Sequence, residues 1–290
     1  MVSAATNMIR HGLAALFAVG LLAFETAQAQ QITPADEDHP PVTDPSKADE
    51  VDIAKESQNP IGNLTIMPFL NDTNFGFGPH NATQNILEFE PVVPFHLSAD
   101  WNLIARAVIP FVWNPSLYPA ESVPQAIAPT DASAFFSPRN TPGGWTWGVG
   151  PVVQIPTETN PSVGSTVWGL GPTAVIVKTT GPIVAGVLVN NIWSLGGEDT
   201  GAGKRYATLL LEPFFNYNFH GGWFVSTAPI VTDNEYGHGN QWTVPVGAVA
   251  GRVMKLGKLP IKWSVGGYYN AVTPQYGARW TLQTNFAFIF

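Results

Sequence analysis

Apolar residues recur at every second position along most of the chain. In the segment 279–290, Trp280, Leu282, Thr284, Phe286, Phe288 and Phe290 share one face of an extended strand, and Arg279, Thr281, Gln283, Asn285 and Ala287 share the other. A period of two is the strand period. The same alternation fills 101–113, where Trp101, Leu103, Ala105, Ala107, Ile109, Phe111 and Trp113 oppose Asn102, Arg106 and Pro110. It returns in 145–155, with Trp145, Trp147, Val149, Pro151, Val153 and Ile155 opposite Thr146, Gly148, Gly150 and Gln154. In 204–219, Leu209, Leu211, Phe215, Tyr217 and Phe219 oppose Thr208, Glu212, Asn216 and Asn218. One face of each run is almost wholly apolar and the other is mixed, which suits a wall between lipid and a wet interior. A soluble sandwich gives the same alternation in any single strand, so the arrangement of the runs has to decide.

Turn residues divide the chain into extended runs at 62–71, 84–97, 101–113, 145–156, 166–178, 182–194, 204–219, 222–232, 240–254, 260–270 and 279–290. A barrel with both chain ends on one side needs an even number of strands, with short turns on the side of the termini and longer loops opposite. Counted back from 290, connections alternate long and short; counted forward, 72–83 is long and 98–100 short. The two counts collide between Trp113 and Trp145, which places a further strand at 131–139 (DASAFFSPR). The expectation is all-β: a transmembrane antiparallel up-and-down β-barrel of about 12 strands.

Tryptophan supports this topology. Trp101, Trp145, Trp223 and Trp263 fall at strand ends on the side of the termini, and Trp113, Trp168, Trp193, Trp242 and Trp280 fall at the other ends. Trp prefers the membrane–water interface, where the ring is buried and its N–H stays wet. Proline resists the reading. Pro91, Pro94, Pro110, Pro151, Pro172, Pro213, Pro229 and Pro245 sit inside strands, and proline cannot donate to a ladder, so bulges or kinks are expected at several of them. Arg252 points outward by alternation, which calls for a bulge near Gly251 or for snorkelling at the rim.

The amino-terminal region differs from the rest. Arg10 and His11 precede an apolar run from Gly12 to Phe24, and Ala27-Gln28-Ala29 offers small residues for cleavage. The run of about 13 residues is shorter than the ~20 of a spanning helix and has the layout of a signal peptide over 1–29. Residues 30–60 form an acidic leader with eight acids and two bases. Its Pro-rich first half is expected to be disordered. Its second half holds a short helix, 47–58, capped by Ser46, that either frays in solvent or plugs the barrel mouth. Residues 61–290 form the barrel and are nearly neutral. Charged residues make up 12% of the chain and there is no cysteine, so no disulfide is available. The net charge of −8 disfavours nucleic acid as a partner. Export and a barrel together imply the outer membrane of a Gram-negative bacterium, with outer-membrane lipid and a small-molecule solute as partners.

The motifs AKESQNPIGNLTIMPFLNDTNFGFGP (54–79), PVVPF (91–95), DWNLIARAVIPF (100–111), WGVGPVVQIPT (147–157), GPTAVIVK (171–178) and QWTVPV (241–246) resemble the outer-membrane transporter family of the MetA pathway of phenol degradation. That resemblance implies a barrel that passes small, in part aromatic, compounds; it supplies no catalytic or ligand positions. The alternating terminal strand with Phe286, Phe288 and Phe290 also resembles the signal by which the barrel-assembly machinery recognises its clients.

Catalysis has little to stand on. No G-x-S-x-G occurs, no strand pairs Ser and His on one face, and His39, His80, His96, His220 and His238 lack metal-ligand spacing. No catalytic residue, metal or cofactor is therefore expected. The strand phase turns Glu88, Glu90, Arg106, Glu212 and Lys262 inward, and the hairpin near Ala99 sets Arg106 opposite Val92 and diagonal to Glu90. These residues are the candidates for a charged constriction, or for an ion pair that stiffens a narrow barrel. The competing function is a non-conducting structural or surface-binding barrel.

Overall fold

The computed structural model describes residue 42 and residues 44–116, 125–236 and 239–290. The segment read as a signal peptide, the first half of the leader, His39, His238 and the centre of the Pro-rich loop lie outside the described residues. The chain closes into an antiparallel barrel of 12 strands. They are β1 (Ile66–Phe77), β2 (Ala82–Phe89 and Val92–His96), β3 (Trp101–Trp113), β4 (Gln125–Ile127 and Thr130–Pro138), β5 (Trp145–Ile155) and β6 (Gly169–Thr180). There follow β7 (Ile183–Ser194), β8 (Ala207–Asn218), β9 (Trp223–Thr227 and Val231–Asn234), β10 (Trp242–Leu256), β11 (Leu259–Val272) and β12 (Trp280–Ile289). Each strand pairs with its neighbours in sequence, and β12 pairs with β1 from Ile66↔Ile289 to Phe75↔Trp280. A helix, α1 (Glu50–Ser57), precedes the barrel.

The two faces of the wall carry opposite residue types. Outward side chains include Trp101, Trp145, Trp193, Trp223 and Trp280, exposed at 41–56%. Inward neighbours on the same strands, such as Ile104, Val152, Leu188 and Phe224, are fully or almost fully buried. An apolar exterior of this extent fits hydrocarbon rather than water. Aromatic pairs reach across an intervening strand at the rims: Trp101 of β3 meets Trp147 of β5 edge-on at 6.1 Å, and Trp223 of β9 meets Trp263 of β11 at 5.8 Å.

The first loop is shorter than the sequence pattern suggested. The segment 72–83 was expected to be a long connection; instead β1 continues to Phe77, and only Gly78–Asn81 turn. The run Asn71-Asp72-Thr73-Asn74 reads as loop because all four residues are polar. The barrel satisfies both of its faces. Outside, Asn71 and Asn85 exchange amide hydrogen bonds at 2.9 and 3.1 Å. Inside, Asp72 accepts from Gln283 at 3.1 Å and Asn74 accepts from Thr281 at 2.6 Å. The β1–β2 register slips by one at Gly76, whose φ of 76° suits a bulge glycine.

The prolines act where the ladder lapses. Pro91 and Pro229 lie in the gaps that divide β2 and β9. The register shifts by one between Val244 and Pro245, and again where Ala128-Pro129 interrupts β4. Pro151 and Pro172 face each other across β5 and β6. The glycines beside them, Gly150 and Gly171, allow a very close approach: a Cβ on Gly150 would lie 1.7 Å from the Ala134 carbonyl oxygen, and one on Gly171 1.6 Å from that of Asn191. Arg252 stays in register with Trp223 and Trp263, so no bulge turns it. It snorkels instead: Nε donates to the Gly221 carbonyl at 2.9 Å, and the guanidinium lies 5.4 Å from the Trp223 ring centre.

Helix α1 differs from the expected 47–58 helix in its start. Asp49 occupies the N-cap without a side-chain cap bond, and Ser46 donates its hydroxyl to Asp44 instead. The first-turn acids Glu50 and Asp52 favour the helix N-terminus electrostatically.

Candidate functional site

The site is the barrel interior. Its lower part, at the end holding both barrel termini, is filled by residues 48–64. Ile53 and Ala54 of α1 pack with Leu64, Ile66, Phe224, Val253 and Ile289 in one apolar cluster. Ile61 reaches further in and joins Val92, Ile104, Phe135, Leu188 and Phe214 in a second.

Polar contacts fix the same segment. Gln58 and Asn218, both buried, exchange side-chain amide bonds at 3.0 and 2.9 Å. Asn102 donates to Asn63 Oδ1 at 3.1 Å and bonds His96 Nδ1 through its own oxygen at 2.8 Å. Lys255 Nζ donates to the Ser46 and Ala48 carbonyls at 3.0 and 2.6 Å, and Lys262 Nζ to the Ser57 carbonyl at 3.4 Å. The Glu56 carboxylate accepts from the Asn63 backbone N–H at 2.6 Å and from its amide at 3.2 Å. Burial pushes the Glu56 carboxyl above the usual carboxylate range, and the Asn63 hydrogen bonds offset only part of that. Gly62 leaves room for this carboxylate, since a Cβ there would lie 2.9 Å from Glu56 Oε1.

A charged layer lies among the middles of the strands. Arg106 pairs with Val92 in the ladder, and its Nη2 lies 3.1 Å from Glu90 Oε2, with both side chains largely buried. Glu88 and Glu212 lie within Coulombic range of the same guanidinium without a close contact to it. Glu88 stands beside Leu70 and Pro110, and Glu212 beside Leu188. Lys262 is set apart, pairing with Val253 and lying 5.6 Å from the Phe224 ring centre as well as near Ser57. The structure thus groups Glu88, Glu90, Arg106 and Glu212, and places Lys262 under the helix. Phe286 and Phe290 are exposed on the outer face, and Phe286 and Phe288 meet edge-on at 5.1 Å.

Two further acids belong to the layer and were not singled out from sequence. Asp72 shares the inward face of β1 with Leu70, and Asp131 accepts from Gln154 at 3.0 Å. Asp72 was hidden by the polar run read as loop. Asp131 sat at the edge of a strand inferred only from parity. No cluster of His, Cys, Asp and Glu with metal-binding geometry occurs among the described residues.

The sequence matches no known family profile and no curated protein sequence. Solved structures are more informative. An outer membrane channel from Pseudomonas putida F1 superposes with a TM-score of 0.60, at 15% identity, over 79% of this chain and 96% of that one. The two share a fold. An outer membrane phospholipase of Salmonella typhi (TM-score 0.41, 16% identity, 82% of this chain and 97% of that one) and the CymD monoaromatic hydrocarbon channel (0.42, 7%, 87% and 93%) are more distant.

Proposed function

We propose that the protein is an outer-membrane channel for small solutes, hydrophobic and aromatic ones among them. The observation that carries the reading is a closed transmembrane wall around a lumen crossed by a charged layer, in a fold shared with a known outer-membrane channel. Residues 1–29 serve export, residues 30–60 form a leader whose helix closes the periplasmic end, and 61–290 form the pore. Glu88, Glu90, Arg106 and Glu212 form the constriction, with Lys262 as its contact to the helix. Phe286, Phe288 and Phe290 present the terminal strand to the barrel-assembly machinery. The link to phenols rests on the sequence resemblance alone.

Liposomes bearing the purified protein test the reading. They should admit phenol-sized neutral solutes faster than disaccharides or anions. Equal entry of all solutes would contradict the selectivity, and no entry of any would contradict the channel. A non-conducting barrel is the second reading, favoured by the residues that fill one end of the lumen. Planar-bilayer conductance separates the two.

A further inference from the structure

Glu212 is an acid of the charged layer that no other side chain engages. Arg106 gives its close contact to Glu90. Glu212 sits within Coulombic range of both, so Arg106 attracts it while Glu90 repels it. Among the described residues, its carboxylate makes no hydrogen bond and no ion pair. The wall encloses it, and its accessible surface opens only to the lumen. A carboxylate held in such a place takes up a proton unless a cation meets it, so a bound cation is what keeps it charged.

Its surroundings are apolar. Leu188 stands directly across the ladder, and Leu210 and Phe214 precede and follow Glu212 on the inner face of β8. Leu210 and Ala228 pack against the cluster that contains Leu188 and Phe214. Tyr268 lies close enough to feel the Glu212 charge, and its hydroxyl oxygen accepts from the Ala228 N–H at 3.2 Å. Around Glu212 the layer holds five acids (Asp72, Glu88, Glu90, Asp131, Glu212) against one base, Arg106, with Lys262 apart under the helix, a balance that favours cations over anions.

We propose that Glu212 anchors a lumenal site for a small organic ammonium ion with an apolar body, such as a primary arylalkylamine. The proposal rests on the channel reading and names a substrate class for it. The ammonium donates to the Glu212 carboxylate, and the apolar body lies against Leu210 and Ala228, the partly exposed apolar residues beside the buried cluster. A hard divalent metal ion fits poorly, because it demands several oxygen ligands and the pocket offers one carboxylate.

Calorimetry on the purified full-length protein in detergent tests this with three probes of like shape: 2-phenylethylammonium, 2-phenylethanol and phenylacetate. The ammonium should bind at least about tenfold more tightly than the other two, the margin of one charge-assisted hydrogen bond. Glu212→Gln should remove that margin and Glu212→Asp should keep part of it. Asp131→Asn, which lowers the acid count outside the proposed constriction and can still accept from Gln154, should leave affinity within about twofold. Equal binding of alcohol and ammonium to the wild type overturns the proposal, and that result needs no variant to fold. So does an equal loss in Asp131→Asn and Glu212→Gln, which assigns the effect to the general field. Binding is read without flux: liposomes that admit no solute would overturn the channel reading while the ammonium site is still decided by calorimetry.

Discussion

The amide pair between Gln58 and Asn218 should control whether the amino-terminal segment stays inside the barrel. Both side chains are buried, and each donates to and accepts from the other. Asn218→Ala removes both bonds and leaves the Gln58 oxygen and nitrogen buried without partners. Each orphaned group costs about 1–3 kcal/mol, so docking weakens by about 2–6 kcal/mol. The lower bound is already about thirtyfold in the docking equilibrium. The chain has no cysteine, so Ala54→Cys supplies a unique reporter at a fully buried position of α1. Its labelling by a water-soluble maleimide should accelerate at least about thirtyfold in the Asn218→Ala background. The double variant Gln58→Ala/Asn218→Ala should recover much of the loss, because no orphaned amide remains. Asn218 also donates to the Pro182 carbonyl at 3.0 Å, and the double variant reports how much of the effect belongs to that bond. An unchanged labelling rate in Asn218→Ala would refute the argument.

Other expectations follow from single contacts. Glu56 holds its proton more tightly when docked than when free, so docking is strongest below the free carboxyl value and weakens as pH rises through the raised one. Labelling of Ala54→Cys should accelerate over that window, and Glu56→Gln should flatten the profile. Gly150→Ala forces a methyl onto the Ala134 carbonyl and should cost at least about 1–3 kcal/mol, seen as loss of the folded band that runs ahead of the boiled protein on gels. Arg252→Ala loses the Gly221 bond and the Trp223 contact, about 1–2 kcal/mol together, measurable as a lower urea midpoint with an unchanged slope.

Much of the fold was legible because the membrane imposes a strict period. Eleven runs could be read directly, and parity alone placed the strand now seen at Thr130–Pro138. The failures have local causes. Asn71 to Asn74 looked like a loop because a polar outward face is improbable in lipid; Asn71 and Asn85 make it tolerable by bonding each other. Ser46 looked like a helix cap, but Asp44 captures its hydroxyl. In the lumen, the short turn after His96 allowed the Val92–Arg106 register to be counted, and with it the Glu90 contact. The isolation of Glu212 was not legible. It depends on which acid Arg106 chooses, and β2 and β8 meet only across the lumen.

The cluster of Ile53, Leu64, Ile66, Ala287 and Ile289 joins the two ends of the described chain. The Thr65 and Phe290 backbones also bond each other in both directions, at 3.0 and 2.8 Å. Seam and inner segment are therefore finished by the same residues. Until β12 has arrived, Ile53 and Leu64 lack the part of their wall that Ala287 and Ile289 supply, and β1 has a bare edge. Closure across so long a stretch of chain is slow. An incomplete chain thus carries exposed apolar surface at its front and an unpaired strand beside it. Completion of the last strand hides both at once.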